Sequence, residues 1–238
     1  MPSIRPQNRP AARQRRGVFI TFEGIEGSGK TTQLARLAKL LRELGYRVME
    51  TREPGGTPIA ERIRELLLGM SLASGRHESA PATEPLTAEC EAALIFAARS
   101  QHVAAVIEPA LTEGAMVLCD RFSDSTLAYQ GYARGLPLRT LHAMNRFATC
   151  GLTPDLTLLF DLPVAVGLKR RRQQGTQQNR LDRESARFHE RVRKGFLDLH
   201  TRHARRIRLV DARADPDAVA DKAAMIVQKY LTRHTMHP

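Results

Sequence analysis

With 238 residues, 42% of them hydrophobic, the chain is long enough for one α/β domain with a substantial core, and no apolar run nears the roughly 18 residues of a membrane span. Its three cysteines, Cys90, Cys119 and Cys150, stand far apart without a C-x-x-C pair, which excludes a disulfide framework or a zinc site and fits a reducing cytosol. The net charge of +12 invites a nucleic-acid reading, but it is concentrated: residues 1–16 hold five arginines and no acid, and residues 167–194 hold ten Lys/Arg against three acids. The remainder balances at 22 basic against 22 acidic residues, so no basic stripe crosses the fold.

Residues 1–16, with three prolines and no apolar periodicity, read as a disordered basic tail. A transit peptide shares that composition but needs an apolar helical face. The folded domain is expected over 17–238. Val18–Phe22 is an apolar run that reads as a buried strand. Next comes Gly24-Ile25-Glu26-Gly27-Ser28-Gly29-Lys30-Thr31, which fits G-x-x-x-x-G-K-[ST], the phosphate-binding loop, with Thr32 directly after it. The spacing has a physical reason. Glycines let backbone N–H groups wrap an anion at the positive end of a helix. Lys30 then reaches the outer phosphates, and the Thr31 hydroxyl can ligate Mg²⁺. A helix follows, with Leu34, Leu37, Ala38 and Leu41 on one stripe.

Gly45 closes that helix, and Tyr46–Met49 reads as a second strand. Thr51-Arg52-Glu53-Pro54-Gly55-Gly56-Thr57 is turn chemistry just past a strand end, where open α/β sheets bind ligands. The next helix carries Ile59, Ile63, Leu66 and Leu67 on one face, and 70–86 reads as a linker. Thr87 caps a long helix to Thr112, with Pro109 bending or interrupting it. Arg99 sits at the edge of an apolar stretch of that helix, either snorkelling at the surface or serving a site.

Ala115–Cys119 is a third strand ending in Asp120-Arg121, an acid suited to Mg²⁺ beside a fork suited to phosphate. Polar and aromatic groups cluster after it, from Ser123 to Gly131. A helix over 137–150, a strand over 154–161 and a helix from Pro163 to Arg172 follow. The Gly/Gln run 173–179 and Arg180-Leu181-Asp182-Arg183 then read as an arginine-rich lid over about 172–183, although a solvated basic helix face would explain the charge alone. A helix over 186–202, a strand over 207–211 and a helix from Pro216 with Val219, Ala223, Ile226, Val227 and Tyr230 on one side complete the chain. Alternating strands and helices predict an α/β fold: a P-loop NTPase-type five-stranded parallel sheet with helices on both faces.

Together, Phe22–Thr32, Thr51–Thr57, Asp120-Arg121 with Tyr129-Gln130-Gly131, and Leu181-Asp182-Arg183 make the chain resemble the bacterial thymidylate kinases over about 17–231. The resemblance implies phosphoryl transfer from ATP to dTMP with Mg²⁺, in a cytoplasmic homodimer that needs neither membrane nor nucleic acid. By that resemblance the loop Gly24–Thr32 binds ATP, and Thr31 and Asp120 hold the metal. Arg121 grips the dTMP phosphate, and Glu26 contacts the 3′-hydroxyl. Tyr129 lies on the deoxyribose, and Arg99, Thr126, Gln130 and a stacking Phe96 surround the base. Arg52 is a further acceptor-site residue. Some related enzymes carry a catalytic arginine inside the loop, where this chain has Gly27. Arg172 or Arg180 of the lid must therefore supply that charge, alongside Lys30 and Arg121. Two other readings stay open: a related kinase with another acceptor, and a P-loop switch or nucleic-acid-associated ATPase using its basic tail.

Overall fold

The computed structural model describes residues 16–69, 85–173, 175 and 179–235. Apart from Arg16, the expected tail lies outside those residues, as do most of the expected linker and positions 174 and 176–178 of the expected lid. Among the described residues five parallel strands form one sheet: β1 (Phe19–Glu23), β2 (Val48–Arg52), β3 (Met116–Asp120), β4 (Leu156–Asp161) and β5 (Ile207–Asp211). Their spatial order is β2-β3-β1-β4-β5. All five residues of the central strand β1 are buried, as its near-continuous apolar run requires when helices cover both faces. Phe22 stacks on Phe160 of β4 across 5.8 Å, and the hydroxyls of Thr21 and Thr157 bond at 2.8 Å between the same strands.

Helix α1 (Lys30–Glu43) buries Leu34, Leu37, Ala38 and Leu41 and ends before Gly45, whose φ of 87° lets the chain reverse. β2 begins two residues later than the sequence pattern suggests. In α2 (Pro58–Leu68) the Thr57 side chain caps Ala60 N–H at 3.1 Å. The expected apolar face of α2 is corrected: Ala60, Leu67 and Leu68 are buried, whereas Ile59 and Leu66 are each 56% exposed. Both stripes have helical spacing, and contact with the rest of the fold selects the one set a residue further on.

Helix α3 (Ala88–His102) is capped by Thr87 and continues through a π turn over Val103–Ile107 into α4 (Glu108–Thr112). Pro109 lacks the N–H that would close the preceding helical turn, and the widened turn lies immediately before it. By length and composition the 25-residue stretch Ala88–Thr112 would suffice to cross a membrane, which the sequence reading did not expect. Here it packs against α2 and buries Glu91, Arg99 and His102. Short α5 (Ser123–Thr126) runs into a second π segment, Leu127–Ala133. Helices α6 (Leu138–Ala148), α7 (Val164–Gln173), α8 (Ala186–Arg202) and α9 (Pro216–Thr235) follow the expected order.

Strand register positions the site. Phe22 and Arg52 both lie level with Asp120, so the C-terminal ends of β1, β2 and β3 reach one edge together. Arg121 N–H bonds Phe22 O and Glu53 N–H bonds Asp120 O, both at 2.9 Å. The phosphate loop, Glu53 and Asp120-Arg121 therefore open onto one cleft.

Candidate active site

The loop between β1 and α1 works because its glycines do what other residues cannot. Gly24, Gly27 and Gly29 have φ of 142°, 71° and 85°. A Cβ on Gly27 would lie 2.1 Å from the carbonyl oxygen of Gly167 in α7, so loop and helix touch backbone to backbone. Gly29 precedes α1 with no side-chain cap, leaving the N–H groups of the first turn to an anion. Lys30 is buried, and its Nζ donates to Ile25 O at 2.8 Å and Ser28 Oγ at 3.3 Å. Burial, and then the nearby Arg121, push its ammonium down to about 8 against the opposing pull of Asp120, Glu26 and Glu23.

Thr31 Oγ1 donates to Asp120 Oδ2 at 2.5 Å. Among the described residues no group of three His, Cys, Asp or Glu could hold a metal. A hydroxyl and one carboxylate beside a phosphate cradle suit a hard cation that keeps most of its oxygen ligands as water and substrate, as Mg²⁺ does.

Against the loop, on the turn after β3, stands Arg121, whose backbone φ is 69°. Its guanidinium donates to Gly24 O at 3.0 Å, Ser125 Oγ at 3.1 Å and Glu26 Oε1 at 3.0 Å, and lies 5.1 Å from the Tyr129 ring centre. Tyr129 Oη donates to the same Glu26 oxygen at 2.6 Å. Burial alone would raise the Glu26 carboxyl, but Arg121 above all, with His189, Lys30 and Tyr129, holds it far below the usual carboxylate range. Glu23 is the reverse case: burial, then repulsion from Asp124, raise it to about 7. It accepts from Phe122 N–H at 2.8 Å and Ser125 Oγ at 2.6 Å, anchoring the turn that carries Arg121.

Arg99 is not a snorkelling side chain. It is 2% exposed, with Nε bonded to Glu53 Oε2 at 2.7 Å and Nη1 to Asn145 Oδ1 at 2.6 Å. Phe122 lies 5.2 Å from its guanidinium carbon. Glu53 also meets His102 Nδ1 at 3.2 Å.

The cleft between these groups has a volume of about 320 Å³. Its lining includes Glu26, Gly27, Gly29, Lys30, Thr31 and Thr32 from the loop and the start of α1, and Arg99, Asp120, Arg121, Thr126, Tyr129 and Gln130 from other elements. Gly24, Ile25 and Ser28 build the loop from behind, Ile25 being packed in the core.

Besides these three, four expected site residues do not line the cleft. Arg52 turns to Glu61, with both carboxylate oxygens at 3.0 Å. Phe96 is buried in the core, and its neighbour Ile95 faces the cleft instead. Arg172 is exposed and donates to Leu168 O at 3.3 Å. Arg180 is bound to Leu67 O at 2.9 Å and Glu91 Oε2 at 2.5 Å.

Arg171 and Arg64, which the sequence reading passed over, do line it. Arg171 forms a fork onto Asp182, at 2.9 and 2.7 Å. Arg64 donates to Pro54 O at 2.8 Å, and burial, then Arg52, lower its pKa. No sequence cue singled out Arg64, which stands among Glu61, Arg62 and Glu65. For Arg171 only helix phase within Lys169–Arg172 distinguishes it.

Residues 22–223 match the family model for thymidylate kinase. The thymidylate kinase of Geobacter sulfurreducens is 49% identical over 222 residues, spanning 91% of this chain and 99% of that protein. That of Thermomicrobium roseum is 50% identical over 220 residues, spanning 92% and 99%. The crystal structure of thymidylate kinase from Ehrlichia chaffeensis aligns with a TM-score of 0.69 at 32% identity, covering 90% of this chain and 99% of that one.

Proposed function

The chain belongs to the thymidylate kinase family and transfers the γ-phosphoryl group of ATP to dTMP for dTTP synthesis, and from that premise we propose how its own residues divide the work. The observation that carries the division is that Lys30, at the start of α1, and Arg121, on the turn after β3, line one cleft. The loop N–H groups and Lys30 seat the triphosphate. Arg121 receives the dTMP phosphate. Glu26 accepts from the 3′-hydroxyl, and Tyr129 packs on the deoxyribose where a 2′-hydroxyl would stand. Arg99, Thr126 and Gln130 surround the base, with Ile95 in the place the resemblance gave to Phe96. The acceptor phosphate is already an anion, so no general base is needed; positioning and charge neutralisation carry the reaction.

Thr31 and Asp120 would hold Mg²⁺, which would supply charge neutralisation to the triphosphate. The lid's contribution falls to Arg171 in preference to Arg172 or Arg180, because Arg171 alone of the three lines the cleft. Shutting out water there protects ATP from hydrolysis. Release of ADP measured with dTMP, dUMP, dCMP, thymidine and UMP tests the acceptor. A better acceptor than dTMP would overturn the assignment.

We also infer a cytoplasmic homodimer. Helices α2 and α3 pack together and leave Ile59, Leu66, Ala93 and Ala97 exposed, a face suited to a second copy. Light scattering should report twice the chain mass, and Leu66→Glu should lower it.

A further inference from the structure

Thr51 and His102 have no part in the division of work above, yet both bear on Arg99. Arg99 and His102 are three residues apart in α3 and share one face of it. Each takes one oxygen of the same carboxylate: Arg99 Nε donates to Glu53 Oε2 at 2.7 Å, and His102 Nδ1 meets Oε1 at 3.2 Å. The far side of the ring is held too, with Nε2 standing 2.7 Å from the hydroxyl oxygen of Thr51 in β2. Arg99, Glu53 and His102 are all buried. A Cβ on Gly56 would lie 2.4 Å from His102 Nε2 and 2.8 Å from Thr51 Oγ1, so the turn after β2 closes directly onto this bond. The Glu53 carboxylate accepts from both neighbours, which places a proton on Nδ1 of His102.

The consequence falls on the guanidinium. Its Nε is taken by Glu53 and its Nη1 by Asn145. Nη2 makes no hydrogen bond among the described residues and is still reached by solvent, in a side chain that lines the cleft. A planar fork pinned at two corners can present its third in one direction only. Glu53 is one of those two pins, and apart from Arg99 its side chain is held by His102. Without the ring, carboxylate and guanidinium can swing together.

We propose that His102 is a positioning residue that, by holding Glu53, aims Nη2 of Arg99 at a carbonyl of the nucleobase. A donor there favours thymine and uracil over cytosine, which carries an amino group in place of the carbonyl at ring position 4. This rests on dTMP being the acceptor and on Arg99 meeting its base.

The test measures kcat/KM for dTMP and dCMP in the wild type, His102→Leu and His102→Asn, with circular dichroism confirming the fold. Leucine fills the space but donates nothing, so the dTMP-to-dCMP ratio should fall about tenfold while KM for ATP stays within about twofold. Asparagine can put an amide N–H where Nδ1–H stands and should keep the ratio within about threefold of wild type. A fall of less than about threefold in folded His102→Leu overturns the proposal. So does an equal fall in His102→Asn, which would assign the effect to lost packing. Should His102→Leu not fold, Thr51→Val decides. It releases the far side of the ring at nearly constant volume and should lower the ratio at least about twofold; a smaller fall overturns the proposal. A wild type that turns over dCMP as readily as dTMP would instead overturn the reading that Arg99 meets the base.

Discussion

Replacing Arg121 by alanine probes the acceptor side of the cleft. The guanidinium is held by Gly24 O, Ser125 Oγ and Glu26 Oε1, all within 3.1 Å, and is further fixed over the Tyr129 ring, so it is rigid before any phosphate arrives. Two unit charges about 4 Å apart attract by about 4 kcal/mol at an effective dielectric near 20. Desolvation of the phosphate offsets part of that. Truncation also leaves the Glu26 carboxylate facing the incoming anion without its main cation. Losses on breaking such a pair fall near 2–5 kcal/mol, and about 2–4 kcal/mol is expected here. That raises KM for dTMP by roughly 30- to 700-fold. KM for ATP should change by less than about threefold, because the loop amides and Lys30 are untouched. The double variant Arg121→Ala/Glu26→Gln should recover part of the loss by removing the repelling charge. Coupled ADP-release kinetics with each substrate varied in turn, and calorimetry for dTMP, read these numbers. Equal losses for both substrates, or a fall in kcat at unchanged dTMP affinity, would refute the reasoning.

Three further outcomes follow from the same geometry. Lys30→Met should lower kcat by at least about a hundredfold while dTMP affinity stays within threefold, since its charge acts on the transferring group; single-turnover kinetics and dTMP calorimetry separate the two. Glu23, raised to about 7 from an ordinary value near 4.5, keeps in the native state a proton that the unfolded chain has lost between those pH values, so stability should fall as pH rises through that window. Glu23→Gln should flatten the dependence of Tm on pH from 5 to 7, and an unchanged slope would contradict the cause assigned to it. Arg99→Leu strands the buried Glu53 carboxylate and should cost about 3–5 kcal/mol, a fall of about 6–20 °C in Tm for a chain of this length; a drop under about 3 °C in thermal denaturation would show that the pair is not needed for stability.

The five strands, their alternation with helices and the phosphate loop were legible because most strands are short apolar runs bounded by turns and the loop has a fixed spacing. The ends of α8 and β5 match the sequence reading residue for residue. What stayed illegible concerns helix phase. α3 is apolar on several sides, so no stripe told Phe96 from Ile95. The run Lys169–Arg172 gave no reason to prefer Arg171, since one residue turns a helix by about 100° and only packing decides which guanidinium points inward. Arg52 lies beside the right strand end, but Glu61 one helical turn into α2 captures it, a local pairing that spacing does not reveal. The two π turns have no sequence signature beyond the proline after the first.

The contact of Gly27 with Gly167 bears on how this enzyme could have diverged from relatives that carry a cationic side chain in the loop. With Gly167 O only 2.1 Å from where the first carbon would stand, residue 27 can gain bulk only after α7 retreats by roughly 1 Å. A side chain at position 27 therefore requires a shift of the main chain as well as the substitution itself.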